Sequence, residues 1–136
     1  FVLILLYNVI GDFDGFKKIN DQYGHEVGDE FLKNMAQRLR DVCRQGDMPA
    51  RYGGDEFVLI ATNHEDQIEV AETSIAQRIE SALSGEVQLS QVTLNYGGPS
   101  VGVICWRGSE VADADALLAR ADKAMYAVKI QRHSAR

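Results

Sequence analysis

Arg51-Tyr52-Gly53-Gly54-Asp55-Glu56-Phe57 (RYGGDEF) sets two glycines against two carboxylates and runs straight into an apolar stretch, FVLIA over 57–61. A Gly-Gly pair between two extended segments, here 49–52 and 57–61, predicts a β-hairpin. Its bend then presents Asp55 and Glu56 at the tip of a strand that is otherwise apolar. Glycine has two uses at such a place. It supplies the backbone angles of a turn, and it lets the ribose or phosphate of a ligand come close to the main chain. The Gly53-Gly54 pair by itself serves either use.

Upstream, residues 1–12 (FVLILLYNVIGD) form a leucine-rich, β-branched run of the kind expected of a central strand covered on both faces, and it closes on Asp12-Phe13-Asp14. If this strand lies beside the hairpin, Asp12 and Asp55 point into one crevice and their repulsion calls for a cation. Hard oxygen ligands favour Mg²⁺ or Mn²⁺, and Mg²⁺ is normally held by one or two carboxylates together with substrate phosphates. The plainer alternative makes these acids solvated turn formers. Lys17 follows Asp12 by little more than one helical turn, so a helix starting near Gly15 brings its ammonium to the phosphate end of the crevice, or leaves it on a solvated face. Asn20 and Asp29 carry an amide and a carboxylate that match the donor and acceptor edge of guanine; they also suit helix caps.

The remaining pattern alternates helices with strands. Val27, Phe31, Leu32, Met35, Leu39 and Val42 draw an apolar stripe along a helix that stops near Gly46. Ile68, Ala71, Ile75, Ile79 and Leu83 draw a second, bounded at Gly85, and Leu117, Leu118, Ala121, Met125 and Val128 a last one from about Asp113. Between them, Val92, Leu94 and Tyr96 alternate with polar residues, as do Val101, Val103 and Cys105 beyond the Gly97-Gly98-Pro99 break, which predicts a second antiparallel pair. The expected architecture is α/β of the α+β kind: one mixed, mainly antiparallel central sheet flanked by helices.

A chain of 136 residues suits one domain over 1–136, with 46% hydrophobic residues and no low-complexity tract that would keep it unfolded. The formal charge of -6 argues against a nucleic-acid surface, so any phosphate ligand is met locally by a few cations or by a metal. Cys43 and Cys105 lie far apart without metal-ligand spacing, which fits a reduced, cytoplasmic setting. The opening apolar run is roughly half the ~20 residues a bilayer demands, so no direct membrane contact is expected of this domain. The start at Phe1 without a methionine reads as a piece of a longer, multidomain protein, whose missing segments are free to anchor it in a membrane.

Together these pieces resemble one family, the GGDEF domains of diguanylate cyclases. The resemblance covers nearly the whole chain, through DFDGFKKIND, YGHEVGDEFL, RQGDMPARYGGDEF, PSVGV and ADKAMYAVK in order. It implies a fold akin to nucleotidyl cyclase domains and polymerase palms, and condensation of two GTP molecules to cyclic di-GMP plus pyrophosphate across a homodimer. By that analogy Asp12, the Phe13 carbonyl, Asp55 and Glu56 hold Mg²⁺ or Mn²⁺, with Glu56 also helping to deprotonate the attacking 3'-hydroxyl. Lys17 and Lys129 meet the triphosphate, Asn20 and Asp29 bind guanine, and His25, Gly53 and Gly54 belong to the substrate site.

The resemblance also assigns a product-inhibition site, in which Arg44 and Asp47 form an RxxD motif completed by Arg78; without it, the same residues make a surface ion pair at a helix end. Three departures stand out. Gly11 replaces the large apolar residue usual before the first acid, His133 stands where a phosphate-binding arginine is usual, with Arg132 as the candidate substitute, and the segments that open and close the domain in relatives are missing. These leave a second possibility, a catalytically weak GTP- or cyclic di-GMP-binding regulatory module attached to another signalling domain such as a phosphodiesterase.

Overall fold

The computed structural model of the chain describes residues 2–8, 15–62, 68–106 and 113–134. In order these form β1 (Val2–Asn8), α1 (Gly15–Tyr23), α2 (His25–Val42), β2 (Met48–Gly53), β3 (Glu56–Thr62), α3 (Ile68–Leu83), β4 (Gly85–Gln88), β5 (Thr93–Tyr96), β6 (Ser100–Trp106) and α4 (Ala114–Ser134). The predicted hairpin is β2–β3, and the apolar stripes become α2, α3 and α4. Asp12, Phe13 and Gly11, the end of the first strand as read from sequence, lie outside the described residues.

Four strands form one sheet in the order β2-β3-β1-β6, with every pairing antiparallel among the described residues. This is the α+β architecture expected, with β1 in the interior. One pairing differs from expectation. β5 does not pair with β6: it pairs with β4 in a separate two-stranded ribbon, while β6 pairs with β1. Two physical reasons account for it. β4 has only four residues, GEVQ, too few for an alternating pattern to declare itself. β6 is buried along most of its length, so it belongs inside the layered core, beside another apolar strand.

The sheet is sandwiched. Phe57, Leu59 and Ala61 of β3 and Val101 and Cys105 of β6 face one side, where they join Phe31, Met35 and Leu39 of α2 and Ile75, Ile79 and Leu83 of α3. Val58 and Ile104 face the other side and meet Leu117, Ala121 and Met125 of α4. The period-2 alternation of each strand is what splits the core into two layers.

α4 lies on β6 and β1 closely enough to need a glycine beneath it. A Cβ built at Gly102 would stand 2.2 Å from the Met125 amide nitrogen, 2.6 Å from its Cα and 2.7 Å from the Ala121 carbonyl oxygen. Helix backbone cannot swing aside as a side chain can. Gly102→Ala is therefore expected to cost about 2 kcal/mol or more through overpacking, lowering the thermal midpoint by roughly 5–10 °C in a domain of this size. A midpoint unchanged in differential scanning fluorimetry would show that the helix does not rest on this strand.

Candidate functional site

The hairpin bend is built from its own sequence. Gly53 pairs with Glu56, with a register irregularity between Arg51 and Gly53, and Gly54 takes a φ of 49°, a conformation that glycine adopts without strain. The Arg51 Nε donates to the Gly54 carbonyl at 2.8 Å and holds the bend from one side. Gly53 differs from its neighbour. Its φ is not positive, and a Cβ there would meet nothing within 4 Å among the described residues, so neither turn geometry nor packing against them accounts for the missing side chain.

Register brings the end of β1 to this bend. Asn8 pairs with Glu56 on one side and with Ser100 on the other, so the chain leaves β1 in the row that carries Glu56. This row faces the α4 side of the sheet, as its parity with Val58 and Ile104 requires. Ser100, not singled out from sequence, is fully buried there, and its Oγ has no hydrogen-bond partner among the described residues.

Glu56 is half-buried, and burial pushes its carboxyl pKa up; Asp122 and Asp55 push the same way, while Lys129 opposes them. Two carboxylates and a lysine from two distant segments thus act on one acid. Asp122 was missed in the sequence. Seven residues, about two helical turns, separate it from Lys129 and set both on one helix face. Tyr52, Glu56, Asp115, Leu118, Ala119 and Asp122 enclose a cavity of about 440 Å³ between the hairpin and α4. Among the described residues no group of three or more His, Cys, Asp or Glu side chains could hold a metal ion. The described part offers Asp55 and Glu56, whose hard oxygens suit a cation that takes its other ligands from elsewhere.

α1 and α2 meet at Gly24, whose φ of 92° breaks the helix and whose amide donates to the Asn20 carbonyl at 2.8 Å. A Cβ at Gly28 would fall 1.9 Å from Asn20 Oδ1, so the amide of Asn20 lies directly on α2, one residue from Asp29. That Oδ1 is buried and accepts no hydrogen bond from the described residues. Asp29 is exposed and lines a groove of about 430 Å³ with Leu32, Lys33, Phe57 and Arg51, among others. One groove therefore joins the carboxylate of α2 to the arginine of the hairpin. Lys17, on an exposed flank of α1, and His25, the first residue of α2, line neither this groove nor the cavity at α4.

A second constellation lies at the far end of α2. The Arg44 amide donates to Asp47 Oδ2 at 2.8 Å and the Asp47 amide to the Arg44 carbonyl at 3.0 Å, so the turn closes on itself. The half-buried Cys43 thiol is pushed up by burial and then by Asp47, and pulled down by Arg78 of α3. Asp47 and Arg78 thus converge on one sulfur. The Arg78 Nε is buried without a partner among the described residues. Arg132, the candidate phosphate ligand, is committed elsewhere: it donates to the carbonyls of Pro99 and, at 3.1 Å, Gly97. It ties the end of α4 to the loop between β5 and β6.

Comparison with known proteins adds the following. The family profile described as "Diguanylate cyclase, GGDEF domain" matches residues 5–135. The diguanylate cyclase DgcP of Escherichia coli (strain K12) is 40% identical over 118 residues, which cover 87% of this chain and 33% of that protein. This chain thus spans about a third of that relative's length. A sensory box/GGDEF family protein from Caulobacter crescentus superposes with a TM-score of 0.82 at 33% identity, covering 96% of this chain and 79% of that one. The GGDEF domain of DgcB from Caulobacter crescentus, solved in complex with c-di-GMP, gives a TM-score of 0.75 at 26% identity over 96% of this chain and 72% of that one.

The convergence on Cys43 is open to direct measurement, because only the thiolate is alkylated. In Asp47→Asn the pH at which Cys43 reacts half-maximally with iodoacetamide moves down, and in Arg78→Ala it moves up. Peptide mass spectrometry separates Cys43 from the buried Cys105. A profile unmoved by either substitution would place Asp47 and Arg78 apart.

Proposed function

The chain belongs to the GGDEF domain family of diguanylate cyclases, and on that premise we propose that it condenses two GTP molecules into cyclic di-GMP with release of pyrophosphate. The observation that carries this reading is the groove from Asp29 to Arg51, which ends at a hairpin whose Gly53 leaves open space and whose Glu56 is half-buried among other acids. Guanine lies at the α1–α2 end. Asp29 takes its N1–H and exocyclic amine, and the Asn20 amide, whose buried oxygen has no other partner, meets the rest of the base edge. The resemblance assigns Lys17 and Lys129, neither of which lines that groove, to the triphosphate, and Gly53 lets it approach the main chain.

The reaction is in-line attack of a 3'-oxygen on an α-phosphorus, forming one P–O bond and breaking the bond to pyrophosphate. Such transfers need positioning and charge stabilisation more than covalent help. Glu56, with its proton affinity raised by its surroundings, accepts the hydroxyl proton. Asp55 and Glu56, with Asp12 and the Phe13 carbonyl, are the groups that would hold Mg²⁺ or Mn²⁺, which supplies neutralisation of phosphate charge and a more acidic hydroxyl. One groove grips one GTP, so a symmetric product with two phosphodiester links requires two copies facing each other about a two-fold axis. The domain works in the cytoplasm as part of a longer protein.

Product inhibition belongs to the second constellation. Arg44, Asp47 and Arg78 bind cyclic di-GMP, an assignment supported by the convergence of Asp47 and Arg78 and by the unspent Arg78 Nε. Guanidinium groups suit both guanine edges and phosphates through paired hydrogen bonds.

Incubation of the full-length protein with GTP and Mg²⁺, followed by chromatography, is expected to yield cyclic di-GMP. Glu56→Gln should lower the turnover by roughly 10²-fold or more, the usual worth of a positioned acid or base, while GTP still binds. GTP binding with no product at high protein concentration would favour the regulatory module instead. Arg44→Ala should leave the initial rate intact and abolish the slowing that accumulating product imposes; an unchanged inhibition curve would remove the RxxD assignment.

A further inference from the structure

We propose that Glu30 and Arg38 are positioning residues that set nucleotide selectivity, by bolting α2 to the β4–β5 ribbon and so fixing the place of Asp29. The inference rests on the reading that Asp29 recognises guanine. Its basis is a polar seam along one flank of α2. Glu30, Asn34 and Arg38 recur every four residues and share a helix face. At one end, both oxygens of the Glu30 carboxylate are used by a single residue of the ribbon turn: Oε1 accepts the Ser90 amide at 2.7 Å and Oε2 accepts its hydroxyl at 2.8 Å. At the other end, Arg38 Nη2 donates to the Glu86 carbonyl at 2.6 Å and Nη1 to the Ser84 carbonyl at 3.2 Å. Between them the Asn34 Oδ1 is buried and accepts nothing from the described residues.

The other flank of α2 carries Asp29, Leu32, Lys33 and Ala36, which line the groove. The helix therefore stands between the ribbon and the proposed base site, and any slide or roll along the seam displaces Asp29. Its N-terminal part is packed against α1 through Gly28, a contact with a neighbouring helix and not with the ribbon. Gly24 precedes α2 and no side chain caps the helix there. Among the described residues, Glu30, next to Asp29, ties α2 to a distant segment. Phe31 adds an apolar stop: its ring meets Tyr96 of β5 edge-on, with centroids 5.0 Å apart. This gives the ribbon a task. It is not part of the main sheet, yet Val87 is fully buried in the same core as Phe31, so it is a rigid abutment for α2.

A group displaced by about 1 Å from its partner can lose as much as 10²-fold in a positioned interaction. The test is calorimetric binding of α,β-methylene analogues of GTP and ATP to the full-length protein, with Asp29→Ala as the reference. Glu30→Ala is expected to weaken the guanine analogue roughly tenfold and leave the adenine analogue unchanged. Ser90→Ala, which keeps the backbone donor, should show a smaller loss, and Ser90→Thr, which restores the hydroxyl, none. Ser90 sits on an exposed turn, so its variants report even if Glu30→Ala does not fold. A parallel loss of both analogues, or full selectivity in Glu30→Ala and Ser90→Ala while Asp29→Ala loses it, overturns the seam alone. Selectivity retained in Asp29→Ala as well overturns the guanine reading together with the seam.

Discussion

The antiparallel ladder that joins β3, β1 and β6 constrains everything else. Its register seats Glu56, Asn8 and Ser100 in one row and Phe57, Tyr7 and Val101 in the next. A slip by one residue would exchange the two faces. Phe57, Leu59 and Ala61 would leave the layer they share with α2 and α3, and Glu56 would be driven into it. The apolar alternation of β3 thus protects the site as much as the core, because the same parity that buries Phe57 aims Glu56 toward α4. Chemistry at the bend is fixed by packing several residues away.

Each helix has a different duty in that frame. α4 presses on the sheet through Gly102 and brings Asp122 and Lys129 to Glu56, and Arg132 pins its far end to the backbone at Gly97 and Pro99. α1 leans on α2 through Gly28, which sets Asn20 against the helix that carries Asp29. In both places a glycine marks where two backbones, or a backbone and an amide, come too close for a Cβ. Such contacts are pairwise, so a single sequence does not announce them.

What was legible in the sequence follows the same line. The hairpin could be read from Gly53-Gly54 between apolar runs, and α2, α3 and α4 from their stripes, since these signals are local and periodic. β4 could not, because four residues carry no period, and with β4 unseen β5 was assigned the wrong partner. Asp29, Asn20, Asp55 and Glu56 were nominated by residue chemistry, whereas Asp122 and Ser100 declare themselves only when α4 and β6 are laid against the hairpin. For Arg132, which the resemblance offers as a substitute phosphate ligand, the structure adds a contact that no local pattern announces: its guanidinium donates to the carbonyls of the loop before β6.

An acidic chain proposed to bind a polyanion needs a reconciliation, and Glu56 supplies it. With a net charge of -6, the domain does not attract nucleotides by its overall field. At the bend the problem is sharper, since Asp55, Asp122 and partial burial all disfavour an ionised Glu56 and only Lys129 favours it. Groups that disfavour a lone negative charge favour whatever neutralises it, whether a proton or a cation. In the proposed reaction a cation held by Asp55 and Glu56 would relieve that repulsion and lower the proton affinity of the oxygen it binds, so a Glu56 oxygen that takes the 3'-hydroxyl proton would be one the cation leaves free. On that reading, the local excess of acid is what would make binding of a triphosphate there depend on a metal.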